Sequence, residues 1–217
     1  MIDLFKSSQA GVEWVDLIEV RGESTPISFK NNKIHTILEK NHAGYGIRVN
    51  KNGNIGFSYT NNRNNLDECF TTAQSLSEYG EKTEFSLPKK NHHQSIIPYN
   101  DHIHSFSIAN EIQKIEQVID TILSNYPTAN IDMGINKSTG LTAVYNSNGV
   151  ESKYDNSYYS GSCSVTLIHE HTKIDIWESI QSTAPVPITS LGQNINDKLT
   201  AALNNRIIQS GKIPVIF

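Results

Sequence analysis

Disulfides, metal clusters and membrane spans find little support in this 217-residue chain. It has only two cysteines, Cys69 and Cys163, far apart and without CxxC spacing, so neither a disulfide framework nor a structural zinc site is suggested and free, buried thiols are expected. No run approaches the roughly 18 apolar residues of a membrane span, and the opening MIDLFKSSQAGVEW lacks the charged start and apolar stretch of a signal peptide. No membrane partner and a cytoplasmic location are therefore expected. A basic excess is missing as well: 18 Lys and Arg stand against 22 Asp and Glu, and Lys89 and Lys90 are too few to make a phosphate-binding face. Direct contact with nucleic acid is not expected.

The familiar motifs of small-molecule and nucleophilic chemistry are also lacking. AGYGIRVNKNGNIGFSYTNN, residues 43–62, resembles a phosphate loop at first sight, but GYGIRV runs into a strand and has no third glycine, and no GK followed by Ser or Thr occurs. The stretch reads instead as two strands around an Asn52-Gly53 turn, with Gly44, Gly46 and Gly56 marking a bulge or a close backbone approach. There is no GxSxG elbow. Cys163 lies in a strand-like GSCSV with no evident base, Cys69 falls on a helix face that should be buried, and Asp67 and Glu68 suit a helix start better than acid-base work.

Eight histidines raise the question of a metal. In LIHEHTK, His169 and His171 would share one side of a strand with Glu170 on the other, so two imidazoles could hold a cation, although HExxH is not formed. His92, His93, His102 and His104 fall in a polar connection, where solvated side chains are the default. No catalytic, cofactor-binding or metal residue is assigned from these patterns.

What the chain does contain is strand pattern. From Glu13 to Thr60 short bursts of β-branched and aromatic residues, WVDLIEV, PISFK, KIHTILEK, GIRV and IGFSYT, predict consecutive antiparallel strands. The period then changes: Leu66, Cys69, Phe70, Ala73 and Leu76 share a helical face, with Asn64 or Asn65 as cap and Gly80 as stop. After a long connection, a second helix is expected over about 107–124, with Ile108, Ile112, Ile115, Ile119 and Ile122 buried. Strands resume, and a third helix is expected over about 191–209, aligning Leu191, Ile195, Leu199, Ala202 and Ile207 and capped by Gly211. Asn-rich stretches such as KNNK and NKNGN fall where turns are expected.

This order predicts an α+β fold of mostly antiparallel strands with about three amphipathic helices. The expected organisation is a first subdomain over 1–85, a connection over 86–106 and a second subdomain over 107–217. The two strand runs share a layout, with an Asn-Gly pair in each, as an internal duplication would leave. The apolar ending KIPVIF leads to the expectation that the natural sequence continues into a further domain, or that this strand pairs with another chain and makes an exposed, self-associating edge.

The ordered series EVR, ISF, GYGIRV, turn, GFSYT and helix resembles the amino-terminal domain of the TldD/PmbA family, once described as modulators of DNA gyrase. AVYNSNGVESKYDNSYYSGSCSVTL is similar to that family's second conserved stretch, and GKIPVIF to the strand joining its two halves, PVIF being nearer the PmbA/TldE type. The resemblance covers about residues 16–217. It implies a subunit of a heterodimeric zinc metalloprotease that trims peptides and degrades unfolded chains. The zinc would lie in a TldD-like partner, on an HExxxH helix and a distant cysteine, with the glutamate polarising water. No residue here matches those elements, and His169 and His171 do not align with them. The implied role is a non-catalytic amino-terminal domain, inactive alone, with a TldD-like subunit and peptide or unfolded protein as partners. The alternative is a stand-alone interaction module acting on gyrase or a toxin–antitoxin pair.

Overall fold

The computed structural model describes residues 11–89, 98–205, 211 and 214. The expected contributions of Ile207 and of the KIPVIF edge, and the places of His92 and His93, lie outside these residues. Seven strands form one antiparallel sheet: β1 (Trp14–Lys30), β2 (Lys33–Ile37), β3 (Lys40–Lys51), β4 (Asn54–Thr60), β5 (Asn130–Asn146), β6 (Glu151–His169) and β7 (Thr172–Ser182), in the order β4-β3-β1-β5-β6-β7 with β2 also paired to β1. Three α-helices accompany it, α1 (Leu66–Leu76), α2 (Ile108–Asn125) and α3 (Thr189–Leu203). The α+β class is thus as expected.

WVDLIEV and PISFK, separate in the sequence reading, form one continuous strand. β1 is long because β5 pairs with it from Asp16↔Asn146 to Phe29↔Met133, which supplies hydrogen bonds through the polar middle GES that lacks apolar periodicity of its own. Its other edge is shared, β3 taking Trp14 to Ser24 and β2 taking Ile27 to Lys30. Asparagines do make the turns. Asn31 and Asn32 (φ 51° and 67°) join β1 to β2, and Asn52 and Gly53 (φ 55° and 79°) join β3 to β4, the positive φ pair that a two-residue hairpin requires. Asn32 also ties its hairpin to β5, its amide donating to Ala129 O at 3.0 Å and its carbonyl accepting from Ile131 N at 2.7 Å.

Directly paired residues of an antiparallel sheet share a face. On β1 the odd positions are Val15, Leu17, Ile27 and Phe29, paired on β5 with Tyr145, Ile135 and Met133, and all are buried. Two cores sit on this one face. Val15, Leu17, Tyr45, Ile47 and Val49 meet Leu66, Cys69, Phe70 and Ala73 of α1. Ile27, Met133, Ile135, Tyr159, Cys163 and Val165 meet Ile115, Ile119 and Ile122 of α2 and Leu191, Ile195 and Leu199 of α3. All three helices therefore cover the same side.

Helix details depart from expectation. The capping asparagine is Asn62, whose side chain accepts from Asn64 N at 3.0 Å at the start of a 3-10 turn (Arg63–Asn65) that precedes α1. Asn65 does hold the N-cap position of α1, but its side chain makes no capping bond, because the chain begins coiling one turn early. Leu76 is 47% exposed, since the last turn of α1 tightens into a 3-10 segment (Ser77–Tyr79) and leaves the core-facing stripe. Gly80 is extended (φ −82°), so it is no left-handed cap; a Cβ there would lie 1.8 Å from Ile55 O, and close approach to β4 explains the glycine. The third helix ends at Leu203, with Asn204 as C-cap, so Gly211 does not cap it. The long connection contains a 3-10 turn, Asp101–Ser105, whose start Asn100 caps by accepting from His102 N. Glu111 is buried on α2, an unexpected position explained by Tyr159, whose hydroxyl donates to Glu111 Oε2 at 2.8 Å, and by Lys114 at 2.5 Å.

Candidate functional site

The residues singled out by sequence are scattered. His169 ends β6 and His171 lies in the two-residue turn before β7, with Glu170 at φ 54°. They do not sit on one strand side, because the chain reverses between them. His102 and His104 lie in the 3-10 turn of the connection, where His104 Nε2 bonds the Tyr99 hydroxyl at 2.8 Å. Among the described residues no three His, Cys, Asp or Glu side chains converge to hold a metal ion, so the donor set for zinc is not found there. Cys69 and Cys163 are both buried and free, in different cores. Burial pushes the Cys163 thiol up to about 12, which leaves it un-ionised and a poor nucleophile at neutral pH. Asp67 and Glu68 occupy the first turn of α1, where the helix dipole favours acids.

The glycines separate by role. A Cβ on Gly56 would lie 1.8 Å from Ala73 O, so β4 and α1 touch backbone to backbone there. Gly44 faces open space, with nothing within 4 Å, and Gly46 would meet only Ile18 Cγ2 at 3.2 Å and the Phe57 ring. Gly44 and Gly46 therefore turn away from the core, onto the opposite face.

That opposite face carries no helix among the described residues. In register across β4, β3, β1 and β5 it presents Phe57 and Tyr59, then Gly44 and Gly46, then Ile18 and Val20, then Val144. Tyr59 is 78% exposed and the other apolar side chains are between a third and a half exposed. Two shallow hollows of about 330 and 350 Å³ lie among them, sharing Ile18 and Gly46. Phe57 and Tyr59 stack with centroids 6.3 Å apart. At one margin Asp16 and Arg48 form an ion pair, with Arg48 Nε donating to Asp16 Oδ1 at 3.1 Å, and this hydrogen bond raises the guanidinium pKa. Further along the face Ser160, Ser162 and Ser164 of β6 lead to Trp177 of β7, which is 62% exposed. A contiguous apolar surface of this kind on one side of a two-layer fold is what a protein contact needs.

On the helix side, the two cores leave a gap. There the odd positions of β1 become Glu19, Arg21 and Glu23, and a cleft of about 550 Å³ opens, lined by Arg21, Gly22, Glu23, Asn41, Tyr99, Thr139, Gly140, Leu141 and Asp155. Arg21 Nε lies 2.7 Å from Glu19 Oε1. Lys137 Nζ lies 3.1 Å from Glu23 Oε1, and Thr139 Oγ1 donates to the same oxygen at 3.2 Å. The Lys137 hydrogen bond, more than its charge, holds the Glu23 carboxyl below the usual range.

The sequence pointed to Gly44 and Gly46 on the first surface but not to its apolar side chains, and it did not point to the cleft. The first had a signal: VDLIEV is apolar at both parities, Val15 and Leu17 on one side and Ile18 and Val20 on the other, which a strand with one solvated face does not require. The cleft had none, because its walls come from β1, β3, β5, β6 and the connection.

Comparison with known proteins follows this geometry. Residues 15–77 match the family described as PmbA/TldA metallopeptidase domain 1. An uncharacterized protein of Methanocaldococcus jannaschii is 29% identical over 127 residues, 56% of this chain and 28% of its own length. Among solved structures, TldE from Thermococcus kodakarensis superposes with a TM-score of 0.83 at 14% identity, over 92% of this chain and 47% of that one. A Thermotoga maritima protein described as a candidate modulator of a DNA gyrase gives 0.82 at 13% identity, over 97% of this chain and 50% of its own. A Bacteroides thetaiotaomicron protein described in the same way gives 0.81 at 16% identity, over 97% and 52%. The chain thus spans about half the length of these solved proteins, and at such identities they speak for the fold alone.

Proposed function

We propose that this chain, which carries the amino-terminal domain of the TldD/PmbA family, is a non-catalytic wall and scaffold in a subunit of a two-subunit zinc metalloprotease acting on peptides and unfolded chains. The observation that carries this reading is the sheet face around Gly44 and Gly46, which no helix covers among the described residues. Ile18, Val20, Phe57, Tyr59 and Val144 are apolar enough to be covered by protein, and the two glycines leave β3 low enough for another chain to lie close to its backbone. Among the described residues that face brings no three His, Cys, Asp or Glu side chains together. Its part in the chemistry is therefore shape: it confines what lies against it, while a zinc held in the TldD-like partner would supply the Lewis acid.

The test has two arms. The purified chain incubated with zinc and an unfolded peptide is expected to show no cleavage, and chelator-sensitive hydrolysis by the chain alone would overturn the reading. Mixed with a TldD-like subunit it is expected to co-elute, and Ile18→Asp with Tyr59→Asp is expected to abolish co-elution while the circular dichroism spectrum stays native. A folded chain that never co-elutes, or a double variant that co-elutes as before, would sink the proposal.

A further inference from the structure

We propose that Asn52, in the β3–β4 turn, is a site of spontaneous covalent modification, losing its side-chain amide to solvent water through a cyclic imide formed with Gly53. Asn-Gly favours this reaction because the attacking amide nitrogen belongs to a residue with no Cβ to crowd it. The chain has two such pairs, Asn52-Gly53 and Asn148-Gly149. Sequence does not choose between them, and neither does solvent access, since both asparagines are exposed.

Hydrogen bonding chooses. At the second pair both reacting groups are held: Asn148 Nδ2 donates to Leu87 O at 2.8 Å, and Gly149 N, the nitrogen that would attack, donates to Asn146 O at 3.1 Å. Asn146 Oδ1 also accepts from Asn148 N and from Val150 N, each at 3.0 Å, so the backbone on either side is fixed. Closing the ring there means breaking several of these bonds together. At the first pair the bonds lie beside the reacting atoms instead. Asn52 N donates to Glu13 Oε1 at 3.0 Å and Gly53 O accepts from Thr83 N at 2.8 Å, and neither bond uses the Asn52 side chain or Gly53 N. A Cβ placed on Gly53 would have nothing within 4 Å, so the turn can change shape without displacing a neighbour.

The reaction needs only water. Gly53 N attacks Asn52 Cγ, the new C–N bond closes the imide ring, the proton of the attacking amide passes to the departing amine, and ammonia leaves. Water then opens the ring at either of its carbonyls, which leaves aspartate or isoaspartate at position 52. Isoaspartate routes the chain through the side-chain carbon and so adds a backbone atom to a turn whose Lys51↔Asn54 pairing accommodates just Asn52 and Gly53. Either product also sets a carboxylate beside that of Glu13. The end of the hairpin therefore loosens. This proposal does not depend on the assembly reading.

The test uses the full 217-residue chain, held in mildly alkaline buffer either native or unfolded in urea. Samples withdrawn over days are digested for peptide mass spectrometry, with electron-transfer fragmentation separating isoaspartate from aspartate. In urea both pairs are expected to convert at similar rates. In the native chain Asn52 is expected to convert and Asn148 to convert about tenfold more slowly, the protection that its hydrogen bonds supply. Gly53→Ala, read in urea where folding does not enter, is expected to slow conversion at position 52 severalfold and to leave position 148 unchanged. Native chains enriched in isoaspartate are expected to lose hydrogen-exchange protection at Lys51 and Asn54. Native conversion at Asn148 as fast as at Asn52, no native conversion at Asn52 in the time that the unfolded chain converts fully, or a rate at position 52 unmoved by Gly53→Ala would overturn the proposal.

Discussion

The two faces of one sheet are built from the same strands and behave in opposite ways. The odd positions of β1 and β5 are covered by three helices and hold two cores, whereas the even positions carry Ile18, Val20 and Val144 with no helix over them among the described residues. The difference lies in covering rather than composition, since side chains of similar hydrophobicity occur on both. On the covered face an apolar side chain contributes to folding of the chain itself. On the open face it contributes only when something else arrives.

Substitutions can break this comparison. The largest effect is expected for Leu17→Ala, which empties a fully buried position of the first core and should cost about 2–5 kcal/mol in urea unfolding. Gly56→Ala follows, because the new methyl would meet Ala73 O and force β4 from α1, at about 1–3 kcal/mol. Its counterpart Gly44→Ala has open space and should leave stability nearly unchanged. If the two glycine variants unfolded at the same denaturant concentration, the assignment of Gly56 to a backbone contact would fail.

Tyr159→Phe is expected to cost about 1–3 kcal/mol at neutral pH, because Glu111 loses the phenol that donates to it inside the core. It also has a pH signature. Burial first, and then the Glu111 hydrogen bond, raise the Tyr159 phenol above its ordinary value. The native state then keeps a proton that the unfolded chain releases above about pH 10, so this contribution is intact below that pH and declines progressively as pH rises beyond it toward the raised folded value. Alkaline unfolding curves of wild type and Tyr159→Phe should draw together progressively above that pH, and parallel curves would contradict the linkage. The smallest stability effect is expected on the open face: Ile18→Ser should change the isolated chain by less than about 1 kcal/mol, while association with a partner suffers. A loss as large as that of Leu17→Ala would mean that the open face is covered by the chain itself.

Much of this architecture was legible in the residues. Periodicity located α2 within a residue at each end, and the Asn and Gly turns located the β1–β2 and β3–β4 hairpins, because both signals are local. The continuity of β1 through GES was not legible, since its hydrogen bonds come from β5, more than a hundred residues away. Burial of Glu111 was hidden for the same reason, its partner Tyr159 lying on another strand. His169 and His171 misled because a period of two was extended across a turn that only positive φ at Glu170 reveals.

The sequence by itself determined the strand and helix types, the turn positions and the absence of a local catalytic motif, because each depends on near neighbours and intrinsic backbone preference. Only the tertiary structure decided which of two apolar stripes on β1 became core, and that Glu111 met Tyr159 inside one of the cores. Those outcomes depend on where α1, α2 and α3 settle and on a register that joins distant strands, and no local pattern encodes a choice between two faces of the same sheet.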